Sequence, residues 1–171
     1  AATWLRDSGC EVRWDDGNAQ GKSFDEWYAG LVAWRPDVVV LESTTPVMKF
    51  YWRLVGRLKG DLPKAVIVMT GYHSMRKPDE TLAACPADVV LLSNHVDFAL
   101  HKLVPYIAEH ADWRETCPVE GFVIRVDEKR TRATGTFKRV EDLNLSPDID
   151  RDLVDWKRYA YENGNYLRTP G

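Results

Sequence analysis

The chain has 171 residues, enough for one domain with a sizeable core and a modest appendage. Its 26 acidic and 23 basic residues leave a net charge of −3, so no basic excess marks it for nucleic acid or an anionic membrane. No apolar run approaches the roughly 18 residues that span a bilayer, and nothing reads as a secretory leader, so a cytoplasmic location is expected.

Ala1 to Ser8 reads as the closing turns of a helix, stopped by Gly9. Cys10 to Asp15 alternates apolar and polar, the pattern of a half-exposed edge strand. Beyond the Asp16-Gly17-Asn18 loop, Ser23 and Glu26 form a capping box. The helix they start carries Phe24, Trp27, Tyr28, Leu31 and Trp34 on one face. Val38 to Leu41 is an apolar run too short for a core helix and typical of a fully buried parallel strand. It ends at Glu42, Ser43, Thr44 and Thr45, and Pro46 opens a helix. That helix sets Val47, Phe50, Tyr51, Leu54, Val55 and Leu58 against Lys49, Arg53, Arg57 and Lys59, and stops at Gly60.

Ala65 to Met69 is a second buried strand, running into Thr70-Gly71-Tyr72-His73-Ser74, with a short helix over Pro78 to Ala84. Asp88 to Leu92 is a third, ending on Ser93-Asn94-His95. Asn94 is placed to cap the next helix, whose apolar face is Val96, Leu100, Leu103, Val104 and Ile107. Pro105 is predicted to kink that helix or to move its start later. After Pro118 the period becomes two: Phe122, Ile124 and Val126 alternate with Val123, Arg125 and Asp127, and a charged turn leads to Thr131 to Phe137. Such a hairpin is marginal alone and is expected to pack on something. Its basic residues, Arg125, Lys129, Arg130, Arg132, Lys138 and Arg139, are expected on a solvated surface. Val140 to Pro147 is linker-like, and Asp150 caps a last helix with Leu153, Trp156 and Ala160 inward and Gly164 at its end. Repeated β-α units with short loops predict a parallel sheet with helices on both faces. The expected division is residues 1–117 as an α/β domain, 118–149 as hairpin and linker, and 150–171 as a helix. The chain starts inside a helical pattern and finishes on Thr169-Pro170-Gly171, so it is expected to be a piece of a longer protein.

Three strands thus end at one edge in small polar residues, and ligands of open α/β sheets bind in the crevice at that edge. Ser43, Thr44 and Thr45 bring hydroxyls to a helix N-terminus, where partial positive charge favours phosphate or amide oxygens. Thr45 reads equally as a helix cap before proline, and Gly71 equally as a tight turn or a point of close backbone approach. Polar loop residues are the plainer reading of His73 and His95, because two histidines without further ligands make a weak metal site. Asp15-Asp16 would suit the Mg2+ site of a phospho-receiver domain, but Glu42 and Ser93 stand where that plan needs Asp and Lys. Cys10, Cys85 and Cys117 are too scattered for a disulfide framework or a zinc site and point to a reducing compartment.

Taken in order, the helix-glycine-strand step LRDSGCEV, the DDGNA loop, the STTP, TGYH and SNH strand ends and the segment EDLNLSPDIDRDL resemble one family. It is the N-terminal cobalamin-binding domain of cobalamin-dependent (class B type) radical S-adenosylmethionine enzymes. There the helix reads roughly LxxxGHxV, later strands end near DAN, SSTTP, GGPH and GEGE, and the linker reads DLDxLPxPxRDLxD. Thr70-Gly71 stands here for the family's Gly-Gly, Tyr72 for its Pro, and Ser93-Asn94-His95-Val96 for its GEGE. The resemblance covers nearly the whole chain. It implies a flavodoxin-like (Rossmann-like), doubly wound parallel sheet in the order 2-1-3-4-5, followed by the hairpin and a linker helix. Strand 1 is expected upstream of Ala1, and the radical S-adenosylmethionine barrel, with its CxxxCxxC motif, downstream of Gly171. The resemblance further implies cobalamin held by Ser43, Thr44, Thr45, Thr70, Gly71, Tyr72 and Asn94, with S-adenosylmethionine and a [4Fe-4S] cluster in the barrel, this piece's partner. The chemistry it implies is methyl transfer to an unactivated carbon or related radical chemistry, not performed by this piece alone. The alternative is a degenerate scaffold or interaction domain that no longer binds cobalamin.

Overall fold

The computed structural model describes residues 1–137, 140–154 and 156. Helix α1 (Ala2–Asp7) and α2 (Phe24–Trp34) precede strand β1 (Val38–Glu42). A 3-10 turn (Thr45–Val47) leads into α3 (Met48–Asp61), then β2 (Val66–Thr70), α4 (Tyr72–Arg76), α5 (Pro78–Ala84) and β3 (Val89–Leu91). Helices α6 (Val96–Glu109) and α7 (Trp113–Thr116) precede the hairpin β4 (Phe122–Arg125) and β5 (Thr131–Ala133). Most of the expected last helix lies outside the described residues; Arg151–Val154 is a 3-10 turn, with Asp152 N donating to Asp150 Oδ1 at 2.9 Å.

The five strands form one sheet in the order β1-β2-β3-β4-β5. β1, β2 and β3 are parallel, with Val38 opposite Val66 and Val68 opposite Val89. The hairpin resolves its own instability by joining this sheet: β4 pairs antiparallel with β3, Leu91 opposite Phe122. The class is α/β with flavodoxin-like character, its sheet mixed rather than wholly parallel.

Strand periodicity sorts the apolar residues into two layers. Val39, Leu41, Ile67, Met69, Val90 and Val123 face α2, α3 and α5, where Tyr28, Leu31, Leu54, Val55, Leu58 and Leu82 are buried. Val66, Val68, Val89, Leu91, Phe122 and Ile124 face α1, α6 and α7. Both faces of β2 are covered, hence its unbroken apolar run. The predicted capping box at Ser23 and Glu26 is formed in full.

Several expectations are corrected. Cys10 to Asp15 is not a strand. The expected order gives it strand 1 as its ladder neighbour, and no described residue takes that place. β1 is consequently an edge strand, and Val40 is 38% exposed rather than buried. Val66 N–H donates to Asp37 O (2.8 Å) and Ser43 N–H to Thr70 O (3.1 Å). The alternation of a parallel ladder therefore turns the odd-numbered backbone groups of β1 to β2, and those of Val38, Val40 and Glu42 to the free edge. Pro105 does not move the start of α6, which runs from Val96 through it to Glu109, held by buried Ala99, Leu100 and Leu103. Tyr72–Arg76, expected as loop after the second buried strand, is helix α4. Arg125 and Arg132 are half-buried, with guanidiniums bonded to backbone carbonyls. The Arg125 guanidinium donates to the carbonyls of Ala87 (2.9 Å), Cys85 (3.1 Å) and Leu82. Arg132 donates to those of Arg114 (3.3 Å) and Cys117 (3.1 Å).

A buried carboxylate ties the N-terminal end of the sheet. Asp88 accepts from Lys59 Nζ at 3.0 Å, Arg114 at 2.6 Å and the Ile67 N–H at 2.8 Å. Pairing with two cations and a backbone donor is what makes an ionised group tolerable there.

Candidate functional site

The C-terminal ends of β1, β2 and β3 carry the residues singled out in the sequence, and the structure divides them into a closed floor and an exposed rim. The ladder between β1 and β2 continues one step past Glu42, through the Ser43 N–H and Thr70 O. This turns the Ser43 side chain inward, where its hydroxyl donates to Met48 Sδ at 3.5 Å. Ser43 and Thr70 are both buried. Gly71 has φ +96, and a Cβ there would fall against the Ser43 carbonyl oxygen and 2.9 Å from the Ser43 nitrogen. Glycine is needed at this position on both counts, and the close approach it permits is made by the Ser43 backbone.

Thr44, Thr45, Tyr72 and Asn94 form the exposed rim. Thr45 is not the helix cap. Thr44 holds that position without a side-chain cap bond, while Thr45 Oγ1 lies 3.3 Å from His73 Nδ1 and joins the two loops. The helical run from Thr45 has no side-chain cap; Pro46 has no N–H, the Val47 N–H donates to Thr44 O at 3.2 Å and the Met48 N–H to Thr45 O. Tyr72 opens α4 at 64% exposure, with the Arg76 guanidinium 5.6 Å from its ring centre. Asn94 does not cap α6 either: His95 is the capping residue by position, and the Ser93 hydroxyl accepts its N–H at 2.9 Å. His95 sits between Phe98 and Phe137, at ring separations of 6.3 and 6.2 Å. Exposed Val47 and Phe50 lie beyond Thr45 in the chain.

One grouping is absent from the sequence reading. His73 meets Trp52 edge-on at 6.0 Å, and Trp52 Nε1, His73 Nε2 and Ser74 Oγ are buried with no hydrogen-bond partner. His73 was legible as a rim residue; Trp52 was not, because its contact crosses from α3 to α4. Among the described residues no three or more His, Cys, Asp or Glu gather to hold a metal ion. Burial pushes the Cys85 and Cys117 thiols up, which leaves both as inert thiols. Among the described residues no helix is long and apolar enough to cross a membrane.

Compared with solved structures, the fold matches part of one longer chain. The chain is similar to the radical S-adenosylmethionine methyltransferase TsrM from Kitasatospora setae, solved with tryptophan substrate and the S-adenosylmethionine analogue aza-SAM. The TM-score is 0.65 at 16% identity, over 78% of this chain and 26% of that one. The likeness establishes a shared fold, and the chain spans about a quarter of that enzyme's length. No family model matches the chain, and no curated protein does.

Proposed function

We propose that the chain is the cofactor-presenting module of a radical S-adenosylmethionine enzyme, holding cobalamin at the C-terminal edge of its sheet for a barrel that follows in the same polypeptide. The observation that carries the reading is the fold shared with a radical S-adenosylmethionine methyltransferase over 78% of this chain, and it is joined by strand ends that resemble the cobalamin-binding family. Methyl transfer to an unactivated carbon, or related radical chemistry, is the reaction such a pairing serves, with S-adenosylmethionine and a [4Fe-4S] cluster in the barrel.

The residues present fit a ligand rich in amides and carrying a phosphate. Thr44 and Thr45 offer exposed hydroxyls, Asn94 an amide and Tyr72 an exposed ring. Ser43, Thr70 and Gly71 shape the floor beneath them. Since the Ser43 backbone fills the space at Gly71, the ligand lies across the ends of β1 and β2 and not between them. When bound, cobalamin supplies a cobalt centre able to carry a methyl group; the chain's own residues bind and orient it. One observation favours a second reading, a scaffold without cofactor: the same Ser43–Gly71 contact leaves no slot between these loops.

The test is the absorption spectrum of the full-length protein after reconstitution with hydroxocobalamin and gel filtration. Corrin absorbance should co-elute with protein and fall when Thr44→Leu and Asn94→Leu block the rim. If none co-elutes with the wild type, the scaffold reading stands and the cofactor reading is lost.

A further inference from the structure

Cobalamin offers a protein two handles. One is the fringe of neutral amide side chains around its corrin ring. The other is a nucleotide tail of phosphate, ribose and aromatic base, long enough to reach down between strand ends. The sheet is shut against the second handle at three successive junctions. Between β1 and β2 the Ser43 N–H donates to Thr70 O at 3.1 Å, and Ser43 N lies 2.9 Å from where a Cβ of residue 71 would stand. Ser43 and Thr70 are both buried. Over the ends of β2 and β3, α4 packs on both strands, and its Ser74 is fully buried. Between β3 and β4 the Leu92 N–H donates to Gly121 O at 2.7 Å. Phe137 lies against that glycine, its Cβ 2.7 Å from where a Cβ of residue 121 would stand. Contacts this close admit no nucleotide unless backbone moves. The outer edge of β1 is open, but its end carries Glu42, exposed and with no cation on its carboxylate among the described residues. A carboxylate there repels a phosphate diester.

We propose that the module grips cobalamin by its corrin amides and leaves the nucleotide tail outside the sheet. Thr44, Thr45 and Asn94 are exposed, uncharged and able both to donate and to accept. That suits carboxamides, and none of the three brings a charge to select the tail's phosphate. The Ser43–Gly71 contact, which denies a slot, then serves recognition as a closed floor beneath those side chains. The inference rests on the reading of the chain as a cobalamin module and adds which part of the cofactor it recognises.

The test compares two probes on the full-length protein: hydroxocobalamin, and diaquacobinamide, which keeps the corrin amides but lacks the phosphate, ribose and base. Dissociation constants are read from corrin absorbance in equilibrium gel filtration, and the two should agree within about fivefold. A tail seated in a crevice would bring several hydrogen bonds and a buried ring, so its loss would cost about a hundredfold. Cobinamide weaker by more than the fivefold margin overturns the proposal. Hydroxocobalamin carrying a bulky group on its ribose 5′-hydroxyl should bind like the parent, and its exclusion overturns the proposal too. Thr44→Leu with Asn94→Leu, both at exposed positions, should weaken the two probes by the same factor. A loss confined to hydroxocobalamin, or no loss for either, places the contacts elsewhere and overturns it. Uptake of neither probe by the wild type sinks the cofactor reading and this inference with it, whereas uptake of hydroxocobalamin alone sinks only this inference.

Discussion

Asp88 offers the sharpest test of how the sheet is held. Replacing it with Ala leaves the Lys59 ammonium, the Arg114 guanidinium and the Ile67 N–H without their common acceptor. Removing one member of a buried ion pair costs about 3–5 kcal/mol. The two cations are 20% and 31% exposed, so water recovers part of their solvation, and the loss should come to roughly 2–4 kcal/mol. For a domain of this size each kcal/mol moves Tm by about 2–4 °C, so Asp88→Ala should melt roughly 5–15 °C lower. Asp88→Asn keeps an acceptor for the Ile67 N–H and should recover about 1 kcal/mol of that. Thermal and urea melts followed by circular dichroism measure both. Adding Arg114→Leu to the Asn variant should cost much less than in the wild type, because the pair is already broken. If Asp88→Asn lies within about 0.5 kcal/mol of wild type, the ion pairs contribute nothing beyond the backbone bond and the reasoning fails.

Three other perturbations probe the remaining features. Gly71→Ala sets a Cβ against the Ser43 backbone at φ +96; a loss of about 2–4 kcal/mol is expected from strain and overlap together, and a melt within error of wild type would contradict the closed floor. Hydrogen exchange in the 171-residue chain should be fast at the amides of Val38, Val40 and Glu42 and slow at Val39, Leu41 and Ser43; uniform protection along β1 would show that its outer edge is paired. The Glu26 carboxyl is held below its usual value by hydrogen bonds from the Ser23 hydroxyl and backbone. A depressed carboxyl stabilises the fold fully above about pH 4.5 and loses that contribution as pH falls through the lowered value. Protection of the first amides of α2, taken relative to the intrinsic exchange rate at each pH, should therefore fall in acid, and Glu26→Gln should flatten the dependence; an identical protection profile in that variant would refute it.

The elements whose signals are local were readable in the sequence. The capping box of α2, the apolar runs of β1 to β3 and the amphipathic stripe of α3 are each written within a few consecutive residues. What escaped depends on partners far along the chain. Cys10 to Asp15 has the alternation of a strand, but alternation specifies only sidedness, and a ladder needs a neighbour. Arg125 and Arg132 look like solvated charges until the topology places carbonyls of residues 82–87 and 114–117 beside them. Pro105 carries a real local penalty, outweighed by the burial of Leu100 and Leu103 on the same helix.

The site shows the same division, and a single parity accounts for it. Sheet-edge logic brought Ser43, Thr44, Thr45, Thr70, Gly71, Tyr72 and Asn94 to one end of the fold, but gave no way to tell floor from rim. That distinction follows from the register of β1 on β2, with Glu42 opposite Thr70. The odd-numbered residues Val39 and Leu41 lie in the α3 layer, and Ser43 continues that row onto Met48. The even-numbered Val40 and Glu42 are exposed, and Thr44 continues theirs. A one-residue shift in pairing would exchange the two hydroxyls, sending Ser43 to the rim and Thr44 against the sulfur. The burial of Val39 and Leu41 resists that shift, since it would turn both out of the α3 layer, and Gly71 lets the Ser43 backbone close against the end of β2. The apolar row of β1 thus decides which hydroxyls face outward, and the glycine closes the floor beneath them.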